Sequence, residues 1–88
     1  MLNIAYESQF KKDFKKVKKH GKNLKKMNDI LSLLIKEKPL PTKNRNHPLH
    51  GNWKGYWECH IEPDWLLIYK KTIQEIILVR TGTHADLF

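Results

Sequence analysis

The chain has few of the residues that stabilise small secreted domains or that cross membranes. It contains a single cysteine, Cys59, which excludes an internal disulfide. No apolar run approaches the roughly 20 residues that a membrane-spanning helix needs. The opening MLNIAYESQF also lacks the basic and then apolar segments of a secretion signal. We therefore expect a cytoplasmic protein that does not associate with membranes.

Arginine is also scarce, because Arg45 and Arg80 are the only two among 17 basic residues. The first 50 positions hold thirteen Lys and Arg against four Asp and Glu, whereas positions 51–88 hold four against five. Such a basic half predicts a polyanionic partner, although lysines that merely keep a small domain soluble are the alternative. Lysine suits diffuse attraction to phosphates better than bidentate contacts with bases.

The N-terminal half predicts one strand and two amphipathic helices. LNIAYES, residues 2–8, alternates apolar and polar residues as a half-buried strand does. Ser8 is the expected N-cap of a first helix that ends at the His20-Gly21 pair and carries one apolar stripe, formed by Phe10, Phe14 and Val17. A second helix is expected from Asn23 to Glu37 and to stop before Pro39.

The C-terminal half predicts a long loop and three strands. PLPTKNRNHPLHG, residues 39–51, is a loop of unusual length, and such loops often carry function. WKGYWECHI, WLLIYK and EIILVR are expected strands, with His60 on the polar face of the first together with Tyr56 and Glu58. The predicted fold is a single α+β domain over residues 1–88, in the order β-α-α-β-β-β. Two helices would cover one face of a mainly antiparallel sheet, and its second face would be free.

Three of the five histidines lie where the expected sheet would bring them together. His60 and Asp64 flank the turn between two strands, Arg80 and His84 lie at the end of a neighbouring strand, and His47 lies in the long loop. A base for a ribose 2′-OH, an acid for the departing 5′-oxygen and a cation for the phosphate are sufficient to cleave RNA. Histidine titrates near neutral pH, so a pair of histidines can perform both proton transfers without a metal.

Other uses of these residues are open at this point. Each histidine alone is more often structural than catalytic. A three-histidine metal site with Asp64 is conceivable, but no HExxH, HxH or CxxC spacing supports it. The tryptophans are able to stack on bases or to pack in the core, and core packing is expected for Trp57.

Two stretches of the sequence resemble a known family. NHPLHGNWKGYWECHIEPDWLLIYK, residues 46–70, and VRTGTHADLF, residues 79–88, resemble the YafQ branch of the RelE/ParE toxin superfamily. The resemblance implies a RelE-like fold and a ribosome-dependent, metal-free endoribonuclease of a type II toxin–antitoxin system, without a cofactor. It also implies a catalytic set of His47, His60, Asp64, Arg80 and His84.

Roles follow from the same resemblance. His84 would be the general acid, His47 or His60 the general base, and Asp64 would orient an imidazole while Arg80 stabilises the phosphate. Trp65 and Phe88 would position or stack bases, although Trp65 lies beside an apolar strand. The expected contacts with messenger RNA and ribosomal RNA are made by lysines, namely Lys11, Lys15, Lys18, Lys22 and Lys54.

The implied partners are messenger RNA, the ribosome and an acidic antitoxin segment. The free toxin is expected to be a monomer that forms a hetero-oligomer with its antitoxin. Two alternatives remain: a toxin that poisons DNA gyrase, as the ParE branch of the superfamily does, and a non-catalytic RNA-binding module.

Overall fold

The computed structural model describes all 88 residues, Met1–Phe88. Two short 3-10 turns, Thr42–Asn44 and Gly51–Trp53, interrupt the long loop. None of the helices has the length and apolar character required to span a bilayer. The regular elements are β1 (Asn3–Tyr6), α1 (Ser8–Lys19), α2 (Leu24–Ile35), β2 (His47–Pro48), β3 (Trp57–Glu62), β4 (Trp65–Lys71), β5 (Glu75–Gly82) and α3 (His84–Leu87).

The five strands form one sheet in the order β1-β5-β4-β3-β2. The β2–β3, β3–β4 and β4–β5 pairs are antiparallel, and only β1 runs parallel to its neighbour β5. The long connection through α1 and α2 precedes the antiparallel strands and leaves β1 free to pair in parallel with the last of them. The predicted α+β fold, with a mainly antiparallel sheet, is confirmed.

Both long helices cover one face of this sheet. Their apolar stripes become a core because residues three and four apart share one side of a helix. Phe10 and Val17 of α1 are buried, and so are Met27, Ile30, Leu31 and Leu34 of α2. They pack on sheet residues that include Cys59, Trp65, Leu67, Tyr69 and Leu78.

Backbone geometry sets the ends of the two helices and corrects two predicted boundaries. The N-cap of α1 is Glu7, not Ser8, and it makes no side-chain cap. A Schellman arrangement ends α2 at Ile35, because the Glu37 N–H donates to Leu34 and the Lys38 N–H to Leu33. Glu37 takes the left-handed conformation at this point, with φ of 56°, so the helix stops before it reaches Pro39.

The second face of the sheet is partly covered, so the expectation that it would be free is wrong. A small cluster of Leu66, Ile68, Val79 and Leu87 lies there, and Leu87 comes from α3, an element that the sequence did not predict. The strand expected from Trp53 begins at Trp57. The edge beside this cluster carries the histidines.

Candidate active site

Strand pairing brings His47, Glu58 and His60 together. In the β2–β3 ladder His47 lies opposite Glu58, and His60 follows two residues later on the same face of β3. Oε1 of Glu58 is 3.5 Å from Nε2 of His47 and 3.4 Å from Nε2 of His60. The Glu58 side chain is only 8% exposed, so one nearly buried carboxylate lies between two imidazoles.

Backbone carbonyls hold the other nitrogen of each ring. Nδ1 of His47 lies 2.6 Å from the carbonyl oxygen of Arg45, and Nδ1 of His60 lies 3.3 Å from that of Pro63. A carbonyl only accepts hydrogen bonds, so in both rings Nδ1 carries the proton. The Nε2 atoms therefore face Glu58 as the positions at which protons are gained or lost.

A third imidazole, His84, is held by Asp64. Oδ1 of Asp64 accepts from Nδ1 of His84 at 2.5 Å and from the backbone N–H of the same residue at 2.9 Å. These two bonds, the backbone bond first, lower the pKa of Asp64. Asp64 therefore remains a carboxylate, and the protonated Nδ1 leaves Nε2 of His84 available to a substrate.

The two histidine groups form one site. The ring centroids of His60 and His84 are 5.5 Å apart, and those of His47 and His60 are 6.5 Å apart. His84 is 53% exposed and His47 is 46% exposed, whereas His60 lies deeper. Three imidazoles and two carboxylates thus meet at one edge of the sheet, within reach of solvent.

Helix α3 fixes the position of His84 in the chain. The Thr83 hydroxyl accepts from the Asp86 N–H, and the Asp86 carboxylate accepts from the Thr83 N–H, which is a capping box. Gly82 has φ of 154°, and a Cβ built there would lie 3.0 Å from Oδ2 of Asp86. Glycine at this position therefore allows the strand to approach the helix closely enough for the cap to form.

Arg80 lies on β5 and is bound to a helix residue rather than to any of the three histidines. Nε and Nη2 of Arg80 donate to Asp13 of α1 at 2.6 and 3.3 Å, and the Thr81 N–H donates to the same carboxylate at 3.2 Å. The arginine is 24% exposed. Its guanidinium is thus fixed in orientation and retains unused N–H donors.

Two tryptophan predictions are wrong. Trp65, expected to stack on RNA bases, is fully buried, and its indole N–H donates to the Thr81 hydroxyl. It cannot reach a substrate. Trp57, expected in the core, is 36% exposed at the first position of β3.

Glu58 belongs to the site, although the sequence did not assign it to the catalytic set. It was predicted on the polar face of its strand, and only the ladder with β2 places it against two histidines. The signal available in the sequence was its position two residues before His60 in an alternating strand.

Of the residues expected to bind RNA, most are exposed. Phe88 is 60% exposed and lies edge-on to Trp53, with ring centroids 6.0 Å apart. Lys22 lies 3.7 Å from Glu62, so its charge is partly satisfied within the chain. The other expected lysines are exposed and make no ion pair, namely Lys11, Lys15, Lys18 and Lys54.

Known proteins similar to this chain are bacterial toxins. Residues 2–88 match a family described as bacterial toxin of type II toxin–antitoxin system, YafQ. The mRNA interferase toxin YafQ of Escherichia coli K12 is 47% identical over 87 residues, which are 98% of this chain and 95% of the relative.

Two solved structures have the same fold. The YafQ chain in a crystal structure of the E. coli DinJ–YafQ toxin–antitoxin complex is 46% identical, with a TM-score of 0.91, and the match covers 99% of this chain and 97% of that chain. A metal-bound toxin from Helicobacter pylori is 41% identical, with a TM-score of 0.94 and full coverage of both chains.

The side chains of this chain do not form a metal site. No group of three or more His, Cys, Asp or Glu residues is arranged to hold an ion. Nδ1 is engaged in His47, His60 and His84, and the Asp64 oxygen is bonded to His84. The alternative of a three-histidine centre with Asp64 therefore does not fit this geometry.

Proposed function

Because the chain belongs to the YafQ family of toxins from bacterial type II toxin–antitoxin systems, we propose that it is an mRNA interferase that cleaves translated messenger RNA on the ribosome. The observation that carries this proposal is the convergence of three imidazoles on two carboxylates at one exposed edge. Such a site supplies an acid and a base on opposite sides of a phosphodiester without help from other groups.

The base is the unit formed by His47, Glu58 and His60. It accepts the proton of the ribose 2′-OH, and the freed oxygen then attacks the adjacent phosphorus. The buried Glu58 stabilises the positive charge that the accepting imidazole acquires, as a carboxylate beside a catalytic histidine does. The geometry is equally suited to proton uptake at either Nε2, since their distances from Glu58 differ by only 0.1 Å.

The acid is His84. As the bond between phosphorus and the 5′-oxygen breaks, Nε2 of His84 gives its proton to that oxygen, and a 2′,3′-cyclic phosphate is left on the upstream fragment. Asp64 keeps the ring in one orientation, with Nδ1 bonded to its carboxylate and Nε2 free to reach the 5′-oxygen. Deleting such a group typically lowers the rate by about 10²- to 10⁴-fold.

Arg80 supplies the fixed cation. Charge gathers on the phosphate oxygens in the transition state, and a guanidinium already held in place stabilises it without reorganisation. The two bonds to Asp13 hold Arg80 in this way. Phe88, exposed beside the site, stacks on a base of the substrate.

The basic surface suits two partners. Exposed lysines of α1 would contact ribosomal RNA through phosphates, in a manner that weakens with salt. An antitoxin is the second partner, in analogy to the DinJ–YafQ complex, and an acidic segment that folds on the toxin would complement its formal charge of +8.

Mapping of transcript ends in cells that express the chain or its His84→Ala variant tests the proposal. We expect discrete cuts at fixed codon positions with the wild type and none with the variant. Intact transcripts together with DNA breaks would instead indicate gyrase poisoning. Intact transcripts together with RNA binding would indicate a non-catalytic module.

A further inference from the structure

The two arginines of the chain are in opposite states. Arg80 is bound to Asp13, as described above. Arg45 is exposed, and its guanidinium makes neither an ion pair nor a hydrogen bond within the chain. An arginine with all its donors free, two residues from His47, is positioned for a ligand rather than for the fold.

The backbone of Arg45 is held in a conformation that arginine seldom adopts. Its φ of 45° and ψ of 48° lie in the left-handed region, where glycine is favoured. The neighbours on both sides are tied down, since the Asn44 amide donates to the His60 carbonyl at 2.7 Å and Asn46 accepts from the Tyr69 hydroxyl at 2.6 Å. Strain of this kind persists where the surrounding structure imposes it, and it is concentrated at functional sites.

Glu37 is the only other residue besides glycine with a positive φ. Both residues end a helical segment: Glu37 follows α2, and Arg45 follows the 3-10 turn Thr42–Asn44. A glycine would serve the backbone at either position. The side chains differ, because Glu37 pairs with Lys71 whereas the Arg45 guanidinium has no partner within the chain and is available to a ligand.

Arg45 and one histidine of the site, His60, line a common groove of about 560 Å³. His60 lines it, together with the cations Lys26, Lys43 and Arg45. Two acids are also present, but Glu62 is neutralised by Lys26 and Lys22 at 2.8 and 3.7 Å, which lowers its pKa. Asp29 remains as the one acid in the groove without an ion pair.

We propose that Arg45 binds a phosphate of the RNA strand next to the phosphate that is cleaved, with the adjoining nucleotide in this groove. The planar guanidinium matches two phosphate oxygens at once. The carbonyl of the same residue holds Nδ1 of His47, so the turn that carries the phosphate contact also orients a catalytic imidazole. This assignment rests on the proposed endoribonuclease activity.

The test uses Arg45→Gly, which removes the guanidinium and keeps the left-handed turn and its carbonyl. Glu37→Gly is the matched control, because it relieves a similar backbone conformation at a residue that does not line this groove. Arg45→Lys keeps the charge and loses the planar fork. Single-turnover cleavage of messenger RNA on programmed ribosomes, thermal melting and the salt dependence of the apparent affinity are measured for each purified chain, with His84→Ala as the inactive reference.

We expect Arg45→Gly to melt at or above the wild-type temperature while its half-saturating substrate concentration rises about tenfold, as loss of one charged phosphate contact implies. The slope of log affinity against log salt should fall by about one. Arg45→Lys should recover part of the affinity, and Glu37→Gly should cleave as the wild type does.

Four outcomes would overturn the assignment, and the last would overturn the proposed function with it. Cleavage by Arg45→Gly within twofold of the wild type, or an equal loss of cleavage in Glu37→Gly, would contradict the proposed phosphate contact and leave the proposed nuclease activity standing. So would a loss confined to the rate at saturating substrate. Absence of cleavage by the wild type itself would overturn the proposed function as well.

Discussion

The side chains on the two faces of the sheet are held in place by different forces. On the helix-covered face, fourteen buried residues form a continuous apolar core, and their side chains stabilise the fold chiefly through burial. At the histidine edge of the other face, each functional group is fixed by hydrogen bonds to a carbonyl or a carboxylate, and several are half exposed. We therefore expect the protein to tolerate the loss of a side chain at the histidine edge without unfolding. Loss of a side chain from the core under the helices should destabilise the fold.

The largest effect on stability is expected at Trp65. Replacing this fully buried side chain with alanine removes its packing and leaves the Thr81 hydroxyl without its indole donor. The free energy of unfolding should fall by about 3–5 kcal/mol, measured by urea denaturation. Trp57→Ala is the control, because that indole is 36% exposed. Equal losses in the two variants would contradict the described burial.

A smaller effect is expected where the two regions meet, at Asp13. This carboxylate accepts two bonds from the partly buried Arg80 and one from the Thr81 N–H, and Asp13→Asn weakens all three. We expect a loss of about 1–3 kcal/mol and slower cleavage, since Arg80 is no longer fixed. Lys71→Met breaks the exposed pair with Glu37 and should change stability by less than about 1 kcal/mol.

The smallest effect on stability is expected when the pH is lowered. The pKa of Asp86 falls to about 2, chiefly because of the Lys16 ammonium, and the pKa of Asp64 is also lowered. A carboxylate whose pKa is lower in the folded state stabilises the fold above its unfolded value, near 3.9, and loses that contribution as the pH falls through the folded value. Melting temperatures should therefore decline between about pH 4 and pH 2.

The Asp86→Asn variant should show a shallower decline over the same range, because it has one such carboxylate fewer. Asp29→Asn removes an exposed carboxylate that makes no ion pair and serves as the control. A decline of identical slope in wild type and Asp86→Asn would show that the contact between α1 and α3 does not contribute.

The same contrast explains which features the sequence predicts. The apolar residues of the two long helices recur with a period of 3.6 and those of β1 and β3 alternate with a period of 2, so these elements are identified by their apolar residues. The sequence does not show which face of the sheet Trp65 lies on, because β4 is apolar on both faces and its residues do not alternate between apolar and polar. Its burial had to come from the structure.

Long-range contacts at the edge are also absent from any local pattern. Arg80 binds Asp13 of α1, which lies 67 residues earlier in the chain. His84 binds Asp64, which lies 20 residues earlier. The motifs resembling the toxin family predicted that the histidines and Asp64 would meet. They did not predict that Glu58 would lie between two of them, which depends on a two-residue strand, β2.

The most direct test of the whole account measures stability and cleavage together for His84→Ala and the wild type. The account predicts a change in unfolding free energy of less than about 1 kcal/mol, because His84 is 53% exposed, and a fall in cleavage of messenger RNA on the ribosome of about 10²-fold or more. Cleavage that survives the substitution, or a chain that unfolds with it, would contradict the claim that this edge serves chemistry rather than the fold.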